Sequence, residues 1–457
     1  MNISRFWKSS FGFSFFTFIS RIFGYLRDLV LSSSLGASNI HDIFVVVFRI
    51  PNVFRSFFGE GAMSQSLVPS ILEAKKNQKK FLNQVFTLLF TVLSLFVIIV
   101  LCFPSLFIAL FAPGFLSDGN KFDNSSYFLR LVFPYILLIS VVAFLGAIQN
   151  SNKQFQAVAA TPIIFNITLI IFALSVSELS LTVIGISILV AGLMQLILNL
   201  WITFKFNYFP SLDFNFDFSL LSSFFNRLLP AIFAAGIYQI NILVDTIFAS
   251  FLTAGSPTWL YLSERIIQLP LGMFGVAVAV VSLPNISEFF QKKNYDALRA
   301  NIFQGFSAVI LVGFASLVGL FLLSELIVFL LFERGQFTSF DTIQTSKSLL
   351  AYAFGLPFLM SNKFFNTIYF AMSKTSMVLK LGLVSLFINI LLNYFFVYVL
   401  ELNHVGIALA TSFSAIAIYL ISLFWLNKND LFNGRGKILS YIFALLGLLI
   451  MIFTIKI

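Results

Sequence analysis

Thirteen apolar runs follow one another along these 457 residues, nearly all of them as long as the roughly 20 residues a helix needs to cross a hydrocarbon core. They lie near 10–35, 41–59, 84–112, 127–149, 157–176, 181–204, 224–252, 258–284, 302–331, 347–371, 377–400, 404–427 and 438–455, bounded by polar or Gly/Pro clusters. So many spans leave no room for a sizeable extramembrane domain. Inside a bilayer, backbone groups without water must bond within their own segment, so apolar runs of this length become helices. The chain is 59% apolar and only 10% charged, against about 25% charged in soluble domains. A water-soluble enzyme is excluded, and the fold class is an all-α polytopic membrane protein.

The basic residues set the topology. Seventeen of the 28 Lys and Arg fall in one set of alternate connections, including Lys75, Lys76, Lys79, Lys80, Lys292 and Lys293. The other set holds five: Lys121, Arg130, Arg334, Lys347 and Lys456. Cytoplasmic loops retain positive charge, so the N-terminus is predicted in the cytoplasm and, with thirteen spans, the C-terminus outside. The first run is too long for a removable signal peptide and carries Arg21, Arg27 and Asp28. The net charge of +10 thus reads as topology and a pathway, with no nucleic-acid partner. Cys102 stands alone and His41 and His404 lie far apart, which gives no disulfide, zinc or haem pattern.

The chain also repeats weakly. The segment from Asp28 resembles the segment from Asp245, and Leu67-Val68-Pro69-Ser70-Ile71-Leu72-Glu73 parallels Ser282-Leu283-Pro284-Asn285-Ile286-Ser287-Glu288. Six spans separate the copies, so the halves share one orientation. The expected organisation is an N-terminal lobe over 1–215, a C-terminal lobe over 216–430 and one additional span within 431–457. The two six-helix lobes would flank a central cationic cavity.

Six basic residues remain inside the spans: Arg21, Arg27, Arg49, Arg55, Arg265 and Lys363. At about 2.5–3.5 kcal/mol each at mid-bilayer, they would cost on the order of 15–20 kcal/mol facing lipid. They are therefore expected to line a polar interior. Arg21 and Asp28 are seven residues apart, nearly two turns on one helix face, and Asp42 and Arg49 repeat that spacing. The carboxylates of these spans, Asp28, Asp42, Asp245 and Glu264, are fewer than the cations. Arg forks grip phosphate oxygens bidentately and Lys363 would add a point charge, so a phosphate-bearing substrate is expected. Structural ion pairs and snorkelling side chains are the alternative reading of the same residues. A second constellation, Asp245 with Asn389, Asn393 and Thr411, offers oxygen ligands without nitrogen or sulfur, which suits a hard monovalent cation such as sodium. Interhelical hydrogen bonds are the alternative there. Pro51 followed by Gly59-Glu60-Gly61-Ala62, and Leu269-Pro270-Leu271-Gly272 at the equivalent place in the other half, mark paired helix interruptions of the kind found at transport sites.

Three stretches carry a family resemblance. They are Ser20-Arg21-Ile22-Phe23-Gly24-Tyr25-Leu26-Arg27-Asp28; Asp42 with Phe48-Arg49-Ile50-Pro51-Asn52-Val53-Phe54-Arg55; and Glu60-Gly61-Ala62-Met63-Ser64-Gln65-Ser66-Leu67-Val68-Pro69. Together they resemble the MurJ (MviN) family of lipid II flippases, within the multidrug/oligosaccharidyl-lipid/polysaccharide exporter superfamily. The resemblance implies a non-enzymatic, monomeric, multi-pass protein of the bacterial cytoplasmic membrane. Such a protein moves the polyprenyl-linked disaccharide-pentapeptide of peptidoglycan synthesis between leaflets by alternating access, among membrane lipids and near other cell-wall synthesis proteins. It further implies that Arg21, Arg27, Arg55 and Arg265 hold the pyrophosphate and sugar and that Asp42 is the essential acid. Lys363 would be the cavity lysine, and Asp245, Asn389, Asn393 and Thr411 the sodium ligands of some members. The sequence departs from the family at Arg55-Ser56, where relatives often have Arg-Arg, and at Glu264-Arg265, where Asp-Arg is usual. It also shows thirteen spans where the family usually has fourteen, the last two forming a groove for the lipid tail. Other readings remain: export of another polyprenyl-linked glycan, or cation-coupled drug export. A cation exporter should line its cavity with acids, whereas the excess here is basic. A membrane glycosyltransferase would need paired carboxylates on a large external loop, and no loop provides them.

Overall fold

A computed structural model of the chain describes residues 3–58, 62–74 and 77–432. Every regular element among them is helical. In chain order these are α1 (Ile3–Leu35), α2 (Asn39–Phe58), α3 (Ala62–Ala74), α4 (Gln78–Cys102), α5 (Pro104–Phe111), α6 (Gly119–Val132), α7 (Tyr135–Ser151), α8 (Phe155–Leu174) and α9 (Leu181–Phe204). They continue with α10 (Phe218–Ser250), α11 (Ser256–Pro270), α12 (Val276–Gln291), α13 (Tyr295–Phe332), α14 (Ser339–Ala371), α15 (Thr375–Tyr394) and α16 (Asn403–Lys428). Twelve of the thirteen predicted spans fall on these helices. The last, 438–455, lies outside the described residues, as does Gly59-Glu60-Gly61.

Among the described residues, eight helices or continuous helix pairs are long and apolar enough to cross a membrane. α2 is not one of them, because Asp42, Arg49 and Arg55 crowd into its 20 residues. α2 is thus among the least lipid-like of these helices, as expected if its polar face turns to protein or water.

Local chemistry sets the helix starts. Asp118, Ser180, Asp217 and Asn294 each cap a helix by accepting a backbone N–H of its first turn, and Thr338 with Asp341 forms a reciprocal capping box on α14. The interruption predicted at Leu269-Pro270-Leu271-Gly272 is a π-helical turn over Leu271–Gly275, between α11 and α12. Proline removes a ladder donor there and the wider turn absorbs it. Pro51, in contrast, is carried within α2 without a break before Phe58.

By packing, the described residues divide into two compact units. The first runs to Ala254 and takes in Arg334–Phe337; the second takes Gly255–Glu333 and resumes at Thr338. In the first unit α8 lies along α1, α7 and α8 both pack on α9, and α3 packs on α7 and α10. The second unit is organised around α14, which contacts α11, α12, α13 and α16 and buries Leu349, Leu356, Met360, Phe364 and Tyr369.

The first unit contains a seat between distant backbones. Gly36 and Gly335 both have positive φ, at 58° and 59°, and the Gln336 N–H donates to the Ser33 carbonyl at 2.8 Å. A Cβ on Gly36 would fall 2.4 Å from the Gln336 carbonyl oxygen, and one on Gly335 would fall 2.3 Å from that of Ser33. Only glycine satisfies both the left-handed backbone and that approach.

Candidate functional site

The first unit gathers six of the predicted site residues onto α1 and α2. Arg27 and Asp28 are buried, 7% and 3% exposed. Arg27 donates through Nε and Nη2 to the single oxygen Asp28 Oδ1, at 3.0 and 2.5 Å. Its Nη1 donates to Asn166 Oδ1 on α8 at 3.1 Å, and the guanidinium lies 6.0 Å from the centre of the Phe165 ring. Arg21, two turns earlier on α1, is exposed. Its charge therefore remains available to water or to a ligand at modest desolvation cost, whereas that of Arg27 is matched inside the protein.

On α2, Asp42 is fully buried and accepts from Lys121 Nζ at 3.1 Å; the same ammonium sits 4.6 Å from the Phe115 ring centre. Lys121, counted above among the outer loop charges, lies in the first turn of α6 and is only 8% exposed. Asp42 also falls in the first turn of α2, where the N-terminal dipole favours its charge. Seven residues on, Arg49 is half-buried and donates through Nη1 to Thr246 Oγ1 on α10 at 3.0 Å. Arg55 is half-buried in the last turn of the same helix.

The second unit holds Glu264, Arg265 and Lys363. Arg265 is exposed; its Nη2 donates to the Tyr261 hydroxyl at 2.9 Å and its guanidinium lies over that ring at 4.9 Å. Tyr261 is one turn away on α11, so helical spacing alone brings the two together. Gln268 donates to Glu264 Oε1 at 3.0 Å, again one turn apart. Lys363 is exposed on α14.

The predicted cation ligands divide between the units. Asp245, half-buried on α10, belongs to the first; Asn389, Asn393 and Thr411 belong to the second. Asn389 and Asn393 are buried one turn apart on α15, and Asn393 Nδ2 donates to Asn389 Oδ1 at 3.0 Å. Thr411 Oγ1 donates to the Ile407 carbonyl at 3.3 Å. The pair presents amide oxygens on one helix face, the donor type a hard cation takes. Among the described residues, no group of three or more His, Cys, Asp or Glu could hold a metal ion.

Sequence reasoning did not single out Asn166, Lys121, Thr246, Tyr261 or Gln268. A signal was present for Asn166, a polar residue in the middle of an apolar run, since such residues are retained for interhelical hydrogen bonds.

Comparison with known proteins identifies the family. Residues 31–457 match the family described as lipid II flippase MurJ. A probable lipid II flippase MurJ of Buchnera aphidicola (subspecies Acyrthosiphon pisum) is 31% identical, over 96% of this chain and 87% of that protein. One from Vibrio cholerae is 32% identical over 90% and 81%. Among solved structures, lipid II flippase MurJ in an inward closed conformation aligns with a TM-score of 0.85 at 30% identity, covering 97% of this chain and 92% of that one. An inward-facing multidrug resistance MATE family transporter of the MOP superfamily aligns at 0.72 with 12% identity over 90% and 94%, a likeness of fold alone. These proteins are transporters by name and not enzymes, and the chain belongs to the MurJ lipid II flippase family.

Proposed function

We propose that this chain moves lipid II from the cytoplasmic to the periplasmic leaflet of the bacterial inner membrane by alternating access. The observation that carries the reading is the retention of Arg27 in the buried interior of the first unit, held by Asp28 and Asn166. An arginine retained inside a span marks a transport pathway, and its guanidinium fork suits an anion. Arg21, Arg27, Arg49, Arg55, Arg265 and Lys363 bind the pyrophosphate and sugars, with Asp28, Asp42 and Glu264 orienting and releasing the cations. The lobes of this cycle are 1–215 and 216–430, with 431–457 as an added span, and the protein acts as a monomer near other cell-wall synthesis proteins. Sodium is the coupling ion, held by Asp245, Asn389, Asn393 and Thr411.

Complementation in cells depleted of their own flippase tests the assignment. The Arg27→Ala and Arg265→Ala double variant is expected to abolish growth while still reaching the membrane. Normal growth of cells carrying it would sink the assignment, and a purely structural scaffold would show such growth.

A further inference from the structure

Asn166 fixes the direction in which Arg27 is held. It lies on α8 and is 5% exposed. Its Nδ2 donates to the Ser20 carbonyl on α1 at 3.3 Å, and its Oδ1 accepts from Arg27 Nη1 at 3.1 Å. A carbonyl oxygen can only accept, so the Ser20 contact turns the amide nitrogen to the backbone and the amide oxygen to the guanidinium. Phe165, next in sequence, stacks on Phe48 at 5.8 Å and gives the guanidinium an apolar wall. Asp28 occupies the opposite part of the fork with one oxygen.

Arg27 and Asp28 together carry no net charge, and a neutral pair draws an anion weakly. For Arg27 to hold phosphate oxygens, the guanidinium must share or exchange its Asp28 contact. While it does so, it needs an acceptor that keeps it in place without cancelling its charge. A neutral amide oxygen meets both conditions; a second carboxylate would leave the site net negative.

We infer that Asn166 is a positioning residue for anion binding. It anchors the Arg27 guanidinium while the Asp28 contact is exchanged for the phosphate oxygens of the head group, and its neutrality keeps that cation available. The inference rests on Arg27 being a head-group ligand.

The test compares wild type, Asn166→Ala and Asn166→Asp in two assays: lipid II translocation in proteoliposomes, read as KM and kcat, and binding of inorganic pyrophosphate to the purified protein. The expected order of weakening is Ala, about threefold in KM and in pyrophosphate Kd, then Asp, about tenfold or more, because a fixed negative charge now faces the anion. A merely structural role predicts the reverse order, since aspartate keeps the size of asparagine and the acceptor for Arg27. Asp weakening binding no more than Ala overturns the inference. Should Asn166→Asp fail to fold, Asn166→Gln decides: it retains a neutral acceptor and should bind pyrophosphate with the affinity of wild type, and a loss equal to that of Asn166→Ala overturns the role. Pyrophosphate binding that follows the expected order across the three proteins, with a wild type that moves no lipid II, would refute the substrate and leave the positioning role standing. Absence of both in wild type would refute both.

Discussion

Removing Lys121 should destabilise the first unit far more than its place in the first turn of a helix would imply. Its ammonium and the Asp42 carboxylate are 8% and 0% exposed and 3.1 Å apart. Breaking a buried pair from one side leaves a charge stranded in a poor solvent, a loss of about 3–5 kcal/mol. Lys121→Met keeps the length of the stem and its contact with Phe115 but removes the ammonium, and with it about 0.5–2 kcal/mol of cation–π attraction. Asp42→Asn strands the cation instead and gives up the favourable interaction of the carboxylate with the α2 N-terminus, about 0.3–1 kcal/mol. The double variant strands neither charge. It is expected to recover at least about half of the larger single loss, about 1.5 kcal/mol or more, so that the two single losses do not add. Unfolding by SDS in mixed micelles, followed by tryptophan fluorescence, measures all three. Two single losses under about 1 kcal/mol each that simply add in the double variant would refute the reasoning, and the pair would then behave like a solvated surface contact.

Other outcomes follow from the same packing. Gly114→Ala should lower stability by about 1–3 kcal/mol in the same unfolding assay, because its Cβ would lie 2.3 Å from backbone atoms of Ser250 on α10, which cannot swing away. Gly36→Ala combines a φ of 58° with a Cβ 2.4 Å from the Gln336 carbonyl; trypsin cleavage at Arg334 should accelerate as that seat is displaced, and unchanged cleavage would argue against it. Glu73 accepts from Arg227 and from Ser223, and these hydrogen bonds hold its carboxyl below the ordinary 4.5. A depressed carboxyl contributes stability above its unfolded pKa and loses it as pH falls through the folded value. The stability difference between wild type and Glu73→Gln should therefore be flat above about pH 5 and decline progressively as pH falls from 4.5 through the lower folded value; a difference independent of pH would refute the contact. For the cation constellation, Asp245→Asn should abolish any dependence of translocation on a sodium gradient, and indifference of the wild type to sodium would refute the site.

The membrane-spanning architecture was legible because hydropathy over 20 residues averages out local detail, and twelve predicted spans coincide with helices. The Leu269–Gly272 interruption was legible because proline acts on its own backbone. What the sequence conceals is the direction of each side chain. Arg21 and Asp28 share a helix face by spacing, yet Asp28 accepts from the adjacent Arg27 and Arg21 is exposed. Lys121 counts as one more loop charge until folding carries it against Asp42, 79 positions away. Glu264 and Arg265 differ for the same reason: neighbours in sequence, they point along different rows of α11 and meet Gln268 and Tyr261 one turn away.

Charge counting therefore finds the cost of a site before it finds the device that manages the cost. The penalty for an arginine inside a span can be stated from sequence alone, because it depends on the charge and the medium. How the penalty is reduced depends on which groups reach the guanidinium, and these include neutral residues that no count registers. At Arg27 the carboxylate partner is adjacent in the chain and visible, whereas the amide partner comes from α8, 139 positions later. The two differ in consequence. Asp28 lowers the cost by cancelling the charge, which would leave the cation inert toward a phosphate; Asn166 lowers it while preserving the charge. An interior arginine that must both survive burial and attract an anion needs the second kind of partner as well as the first, and only the folded chain supplies it.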